Sequence, residues 1–212
     1  TNVVMDNHGM LDKYIGDAVM AFYNAPVDVK DHADAACKSA LEMIVKLDEL
    51  NIELNKENIP SIYIGIGINT AEVVVGNMGS DSRFNYTVIG DGVNLASRVE
   101  SLTKNYGVNI LITEFTVQKI SKDFIYRKIE PVKVKGKDQA VLLYELMAFS
   151  EESKTIQKLY TDALDIYING DLDTALKLFE TLVEKYDDNP SKYFITRIEE
   201  KHPWGVNIMK TK

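Results

Sequence analysis

Two short segments hold the side chains that are best suited to chemistry. The first contains Lys13 and Asp17, an ammonium and a carboxylate four residues apart. The second contains Thr87, Asn94 and Arg98, of which the last two are also four residues apart. Carboxylates are ligands that hard divalent cations prefer, and a guanidinium presents a planar fork of donors to phosphate oxygens. The two segments together indicate a candidate metal carboxylate and a candidate phosphate clamp.

These segments belong to a longer series of motifs that resembles the catalytic core of the class III nucleotidyl cyclases. The resemblance extends over about residues 8–147, and its motifs agree with the family in order and spacing. It is carried by residues 10–26 with Lys-Tyr-Ile-Gly-Asp at 13–17, Gly-Ile-Gly-Ile-Asn-Thr at 65–70, Val-Gly-Asn-Met-Gly-Ser at 75–80, Arg-Phe-Asn-Tyr-Thr-Val-Ile-Gly-Asp-Gly-Val-Asn-Leu-Ala-Ser-Arg at 83–98 and Val-Lys-Gly-Lys at 134–137.

The resemblance implies a reaction in which a nucleoside triphosphate cyclises. The ribose 3′ hydroxyl attacks the α-phosphorus and pyrophosphate leaves, so that positioning and electrostatics do most of the work. Two divalent ions per site, Mg²⁺ or Mn²⁺, are expected to bridge the nucleophile and the leaving group. Asp17 is the expected metal ligand, because the family motif places the carboxylate after the glycine. Asp12, in the same stretch, fits that motif less well.

The choice of base is expected to depend on Lys13 and Thr87, whose positions contact the purine in the family. An ammonium can donate to N1 of adenine but not to N1 of guanine, which carries its own hydrogen. A hydroxyl can accept a hydrogen bond from the adenine amino group. Guanylyl cyclases typically have Glu at the lysine position, whereas a bacterial subset of adenylyl cyclases has Thr at the second position. The resemblance therefore favours ATP as the substrate and cyclic AMP as the product.

Three further residues are expected to hold the sugar and the phosphates. By resemblance, Asn94 orients the ribose and Arg98 stabilises the pentavalent phosphorus, and their spacing places both on one face of a helix. Lys135 is expected to reach the terminal phosphates. Its neighbours Lys133 and Lys137 are alternatives for that contact.

The sequence also departs from the family pattern. The usual first metal carboxylate lies in a Phe-x-Asp-like motif on an N-terminal strand, and the sequence shows no counterpart. We therefore expect residues 1–148 to be an N-terminally incomplete cyclase domain and residues 1–212 alone to be almost inactive.

An alternative is a catalytically silent cyclase-like domain that serves dimerisation or nucleotide sensing. A third interpretation makes the C-terminal helices a protein-interaction module supported by the cyclase fold.

A head-to-tail homodimer with shared sites is also implied. Lys13 and Asp17 are too close in sequence to serve opposite ends of one triphosphate. By resemblance, each site takes its metal ligand from one subunit and its base reader and phosphate clamp from the other.

Composition limits the remaining options. The 212 residues are 45% hydrophobic, which is enough for one full core and a smaller appendage. The net charge of -8 argues against a nucleic-acid surface. The single cysteine, Cys37, suits a reducing compartment, and no apolar run approaches the roughly 18 residues of a membrane helix. We expect a cytoplasmic location and leave open an upstream sensor or membrane segment in a larger parent protein.

The periodicity of the first 148 residues predicts an α+β fold, a ferredoxin-like sandwich with a mostly antiparallel sheet. Strands and helices interleave without a strict βαβ period. Helices are predicted at 31–51, 91–106 and 114–120, and strands at 61–69, 72–76, 85–89, 109–113, 124–129, 132–134 and 141–146. The helix at 91–106 is predicted to end at Gly107 and to bury a stripe of Leu95, Val99, Leu102 and Tyr106. The strands at 61–69 and 72–76 are expected to form a hairpin. Gly65 and Gly67 leave room on one face of the first of these strands.

Helical periodicity replaces the strands after Ala148. Residues 149–212 are predicted to form a helical hairpin that resembles one tetratricopeptide unit, broken at Asn169-Gly170-Asp171 and ending near Pro190. One such unit does not build a solenoid, since about three repeats are needed for a continuous core. The hairpin is interpreted either as an appendage packed on the cyclase domain or its partner, or as a peptide-binding repeat.

Overall fold

The computed structural model describes residues 1–80, 83–133 and 139–208. The helices are α1 (Asn2–Asp6), α2 (His32–Lys56), α3 (Asp91–Tyr106), α4 (Glu114–Val117), α5 (Glu151–Ile168), α6 (Leu172–Tyr186) and α7 (Asn189–Glu199). The strands are β1 (Met10–Ile15), β2 (Ala18–Phe22), β3 (Ile66–Ile68), β4 (Val74–Ser80), β5 (Arg83–Ile89), β6 (Ile110–Thr113), β7 (Ile125–Lys133), β8 (Val141–Met147) and β9 (Asn207–Ile208).

A five-stranded sheet in the order β3-β6-β8-β7-β9 forms the centre of the molecule. The β6–β8 and β7–β8 pairs are antiparallel, and the β3–β6 and β7–β9 pairs are parallel. Two antiparallel hairpins, β1–β2 and β4–β5, stand beside it. The predicted α+β class with mostly antiparallel pairing is confirmed.

Different helices cover the two faces of this sheet. Successive side chains of a strand point to opposite faces, and all four residues of β6 are buried. Leu111 packs in a cluster with Leu95 and Val99 of α3. Ile110 and Ile112 pack instead with residues of α2. The sheet is therefore enclosed between α3 on one side and α2 on the other.

Cys37 belongs to the α2 side of this core, as its small alanine neighbours predict. Its side chain is fully buried beside Ala40 and Ile112. Burial raises the pKa of the Cys37 thiol to about 12, so the thiol stays protonated at neutral pH. The cysteine is a core residue.

The predicted hairpin between residues 61–69 and 72–76 is wrong. Strand β3 is only Ile66–Ile68 and pairs in parallel with β6, whereas β4 pairs antiparallel with β5. The strand predictions at 124–129 and 132–134 also need correction, because residues 125–129 and 132–133 lie in the single strand β7, and residue 134 lies outside the described residues. Its register with β8 shifts between Lys128 and Pro131, and this bulge interrupts the alternation on which the two-strand interpretation depended.

Three helices follow the cyclase-like part of the chain, rather than the two that were predicted. The first two, α5 and α6, are present on either side of Asn169-Gly170, and α7 comes after them. Pro190 lies in the first turn of α7, where its missing amide donor costs nothing, so it begins a helix rather than ending the unit. The three helices share an aromatic core that includes Tyr160, Phe179 and Phe194.

The helices are joined to the sheet by buried charges. Arg127 of β7 donates to Glu145 of β8 and to Asp188 at the start of α7, each at 2.6 Å. Burial alone would lower the pKa of the Arg127 guanidinium, but these two carboxylates outweigh it and raise the pKa. The same guanidinium lies over the Tyr160 ring, 4.4 Å from its centre.

A second buried carboxylate, Glu130, lies nearby in the β7 bulge. It accepts hydrogen bonds from Tyr106 of α3 at 2.8 Å and from Tyr193 of α7 at 2.6 Å, and it pairs with Arg197. It also accepts from Asn207 of β9 at 2.9 Å. The C-terminal helices are therefore packed onto the sheet and linked to α3. Within the described ranges, none of the helices combines the length and apolar character of a membrane span.

Replacing Asp188 by Asn should lower the free energy of unfolding by about 2–3 kcal/mol, because a charged hydrogen-bond partner of the buried Arg127 is lost. The matched control is Asp187→Asn, whose side chain is 87% exposed in its pair with Lys192. This control should cost less than about 1 kcal/mol. Urea unfolding of both variants measures the difference, and equal values would contradict the assigned role of the buried pair.

Candidate active site

The β1–β2 hairpin carries Lys13 and Asp17. Lys13 lies in β1, and Asp17 lies in the turn that leads to β2. Gly16, just before Asp17, has a φ of 63°, a left-handed conformation that suits glycine. The turn leaves the Asp17 side chain exposed to solvent. Lys13 and Asp17 therefore lie on the same hairpin, but Lys13 lies in a strand and Asp17 lies at the turn.

Thr87 lies in β5 and faces the hairpin. Its Oγ1 accepts a hydrogen bond from Lys13 Nζ at 3.0 Å, although the two residues are 74 positions apart in the chain. Thr87 is buried, whereas the Lys13 side chain is 45% exposed. The structure thus brings together the two residues that sequence reasoning assigned to the base. The ammonium can still reach a ligand from the solvent side.

Asp12 completes this contact, and sequence reasoning missed its role. Its Oδ2 accepts the Thr87 hydroxyl at 2.7 Å, and its Oδ1 lies 3.4 Å from Lys13 Nζ. Only 1% of the Asp12 side chain is exposed. The sequence signal was adjacency to Lys13, but adjacent residues in a regular strand point to opposite faces and are not expected to share a partner.

Helix α3 carries Asn94 and Arg98 one turn apart. It begins directly after Gly90 and ends at Gly107, which has a φ of 64° and closes the helix in the left-handed conformation, as predicted. Its buried stripe is the predicted one: Leu95, Val99, Leu102 and Tyr106. Asn94 is exposed and Arg98 is half-buried. Within the described part of the chain, neither side chain makes a hydrogen bond or ion pair.

The start of α3 is held by Asn69, a second residue that sequence reasoning did not single out. Asn69 Nδ2 donates to the Gly92 carbonyl at 3.0 Å, and Asn69 Oδ1 accepts from the Thr113 hydroxyl at 2.8 Å. This one side chain links the loop after β3, the first turn of α3 and the end of β6. Its place at the end of the Gly-Ile-Gly-Ile-Asn motif was the available signal.

The body of α3 lies directly on β3 at Gly67 and on the residue just before that strand, Gly65. A Cβ added to Gly67 would lie 2.3 Å from the Glu100 backbone nitrogen and 2.4 Å from the Ala96 carbonyl oxygen. A Cβ at Gly65 would lie 2.2 Å from Thr103 Oγ1. The room left by these glycines is therefore filled by the helix. Because these two residues have no side chains, α3 can lie this close to the sheet, and this sets the distance of Asn94 and Arg98 from the sheet.

The sequence predicts Asp17 as a metal ligand. Asp17 offers an exposed carboxylate, which suits Mg²⁺ or Mn²⁺. Among the residues that the structure describes, no group of three or more His, Cys, Asp or Glu side chains could hold a metal ion. These residues alone do not form a complete metal site. Lys135 and Lys137 lie outside the described residues.

The comparisons with known proteins agree with this geometry. Residues 4–148 match the family model of the adenylate and guanylate cyclase catalytic domain. The match covers more than half of the chain, and the chain belongs to this family. The predicted resemblance to the class III nucleotidyl cyclases is therefore confirmed. The tetratricopeptide-like character of the C-terminal helices stays a prediction.

Two curated relatives are adenylate cyclases. The chain is 47% identical over 144 residues to an adenylate cyclase of Anabaena cylindrica, covering 66% of this chain and 28% of that protein. It is 36% identical over 203 residues to the terminal-differentiation specific adenylate cyclase of Dictyostelium discoideum, covering 92% of this chain and 9% of that protein. The chain thus spans less than a third of either relative.

A solved structure with a similar fold is a guanylyl cyclase. The crystal structure of the guanylyl cyclase Cya2 has a TM-score of 0.62 and 31% sequence identity, covering 71% of this chain and 75% of that chain. Related proteins therefore include both adenylate and guanylyl cyclases. The family identifies a nucleotidyl cyclase fold. Membership of the family does not by itself determine whether the base is adenine or guanine.

Replacing Gly67 by Ala should displace α3 and with it Asn94 and Arg98. The added Cβ meets helix backbone, which cannot move aside alone, so we expect a loss of about 1–3 kcal/mol in the free energy of unfolding. Gly76→Ala in β4 is the matched control, because a Cβ there has nothing within 4 Å. Unfolding curves and cyclase assays of both variants test this, and a harmless Gly67→Ala would contradict the close approach.

Proposed function

We propose that this domain is an adenylate cyclase, which converts ATP to 3′,5′-cyclic AMP and pyrophosphate. The observation that carries the proposal is the hydrogen bond of 3.0 Å between Lys13 and Thr87. It places an ammonium donor beside a hydroxyl acceptor. Adenine offers the matching pair of groups on one edge, an acceptor at N1 and a donor in the 6-amino group. Guanine offers the reverse, N1–H and the O6 carbonyl.

The remaining site residues hold the reacting atoms. Asn94 orients the ribose so that its 3′ hydroxyl loses its proton to solvent and the oxygen forms a bond to the α-phosphorus while the bond to the pyrophosphate oxygen breaks. Arg98, one turn further along α3, stabilises the negative charge on the phosphoryl oxygens. Lys135 contacts the terminal phosphates. Mg²⁺ or Mn²⁺, when bound with Asp17 as one ligand, supplies further stabilisation of the charge on the phosphates.

The proposed assembly is a head-to-tail homodimer with two shared sites. Asp17 is only four residues from Lys13 in the same hairpin, so one copy cannot easily present the two to opposite ends of one triphosphate. The hairpins also expose large apolar side chains, which is typical of an interface. They include Tyr14, Ile15, Val19, Val74, Phe84 and Ile89.

The base assignment is tested by Lys13→Glu in the natural full-length protein. A carboxylate cannot donate to N1 of adenine, so kcat/KM for ATP should fall by at least about 100-fold. Use of GTP should rise slightly. Lys38→Glu is the matched control, because Lys38 is 65% exposed on α2 and its charge change leaves the site intact. Unchanged ATP turnover by Lys13→Glu would contradict the assignment. Bound nucleotide without turnover in the wild type would favour a silent cyclase-like domain.

Mixed dimers test the shared sites. Asp17→Ala and Arg98→Ala should each be inactive alone, because every site of either homodimer lacks one group. Co-expression should restore cyclic AMP formation, since one of the two sites in a mixed dimer receives Asp17 from one copy and Arg98 from the other. The assay measures cyclic AMP from purified dimers that carry two different tags. An inactive mixed dimer would argue for sites within single chains.

A further inference from the structure

Strand β1 contains a bulge at Asp12. Leu11 is paired with Ala21 and Lys13 with Met20, so β1 advances by two residues while β2 advances by one. In a regular strand, Asp12 and Lys13 would point to opposite faces. A bulge re-aims side chains, and here both neighbours contact Thr87.

This geometry fixes the hydrogen-bonding state of the Thr87 hydroxyl. A threonine hydroxyl has one hydrogen to donate and two lone pairs that accept. An ionised carboxylate can only accept, so the 2.7 Å contact requires Thr87 to donate its hydrogen to Asp12. Thr87 accepts from Lys13 with one lone pair. The other lone pair is left for a donor on a ligand.

Asp12 also orients Lys13. The carboxylate lies 3.4 Å from the ammonium and is 1% exposed, whereas the lysine side chain is 45% exposed. The buried member of the pair is therefore the fixed one. It holds the ammonium at Thr87 while leaving it free to swing to a ligand on the solvent side.

We propose that Asp12 is the positioning residue that makes the Lys13–Thr87 pair select adenine over guanine, an inference that rests on the adenylate cyclase function proposed above. Asp12 removes the only hydrogen that Thr87 could offer to the guanine O6 carbonyl. Thr87 then presents an acceptor to the adenine amino group, and Lys13 presents a donor to N1. Against guanine, both contacts are mismatched: lone pairs face O6, and the ammonium faces N1–H. Without Asp12, the hydroxyl can rotate and donate to O6.

The test compares kcat/KM for ATP and GTP in the natural full-length protein. Asp12→Ala should lower the ratio of kcat/KM for ATP to kcat/KM for GTP by about tenfold or more, chiefly because kcat/KM for GTP rises. Asp12→Leu keeps most of the side-chain volume but has no acceptor, so it should lower the ratio in the same way. It provides the test if the alanine variant does not fold. Asp12→Asn keeps an acceptor oxygen and should retain most of the ratio. Asp48→Ala removes an exposed carboxylate from α2 and should change nothing.

A second comparison separates positioning from general damage. If Asp12 acts chiefly through Thr87, then Asp12→Ala should change the ATP:GTP ratio much less in the Thr87→Val background than in the wild type, and the remaining change reports its contact with Lys13. An equal loss of ATP and GTP use in Asp12→Ala and Asp12→Leu, or a full additional effect in the Thr87→Val background, would overturn the inference. The wild-type ratio is read first. A wild type that does not prefer ATP rejects the proposed function, whereas a preference that survives Asp12→Leu rejects only the role of Asp12.

Discussion

The close approach of α3 to β3 is the constraint on which the site depends. At Gly67 the helix backbone occupies the space that a side chain would need, with Glu100 N only 2.3 Å from the position of an added Cβ. Asn69 holds the first turn of the helix through the Gly92 carbonyl. Asn189 of α7 holds the other end by donating to the Gly107 carbonyl at 2.9 Å. The helix that carries Asn94 and Arg98 is thus fixed at its start, middle and end, and its last contact comes from the C-terminal helices.

The bulges in β1 and β7 have the same effect on a carboxylate side chain. The bulge in β1 lets Asp12 and Lys13 meet one hydroxyl, and the bulge in β7 buries Glu130 directly after the buried Ile129. Each bulge turns a carboxylate inward, where several donors satisfy it, and a buried carboxylate without such partners would be costly. One of these carboxylates, Asp12, contacts both Lys13 and Thr87. The other, Glu130, joins the sheet to α3 and to α7, so the helix that carries Asn94 and Arg98 shares a buried polar junction with the C-terminal helices.

The sequence predicted α3 well, because its apolar stripe and Gly107 are local signals. The meeting of Lys13 and Thr87 followed from family resemblance, since no local rule relates residues 74 positions apart. Asp12 was undervalued because a bulge is a tertiary feature that strand periodicity does not reveal. The hairpin error at 61–69 arose because alternation predicts a strand but not its partner, and β3 pairs with the distant β6. Helix α7 had a local signal, Asp188-Asn189-Pro190, which was interpreted as an ending rather than a beginning.

The central claim is that a donor at Lys13 and an acceptor at Thr87 make the site specific for adenine. The most direct measurement is steady-state turnover of ATP and of GTP by the wild-type, natural full-length protein with Mg²⁺ and with Mn²⁺. We expect cyclic AMP as the main product, with kcat/KM for ATP exceeding that for GTP by about 100-fold or more. Equal use of the two nucleotides, or a preference for GTP, would contradict the central claim.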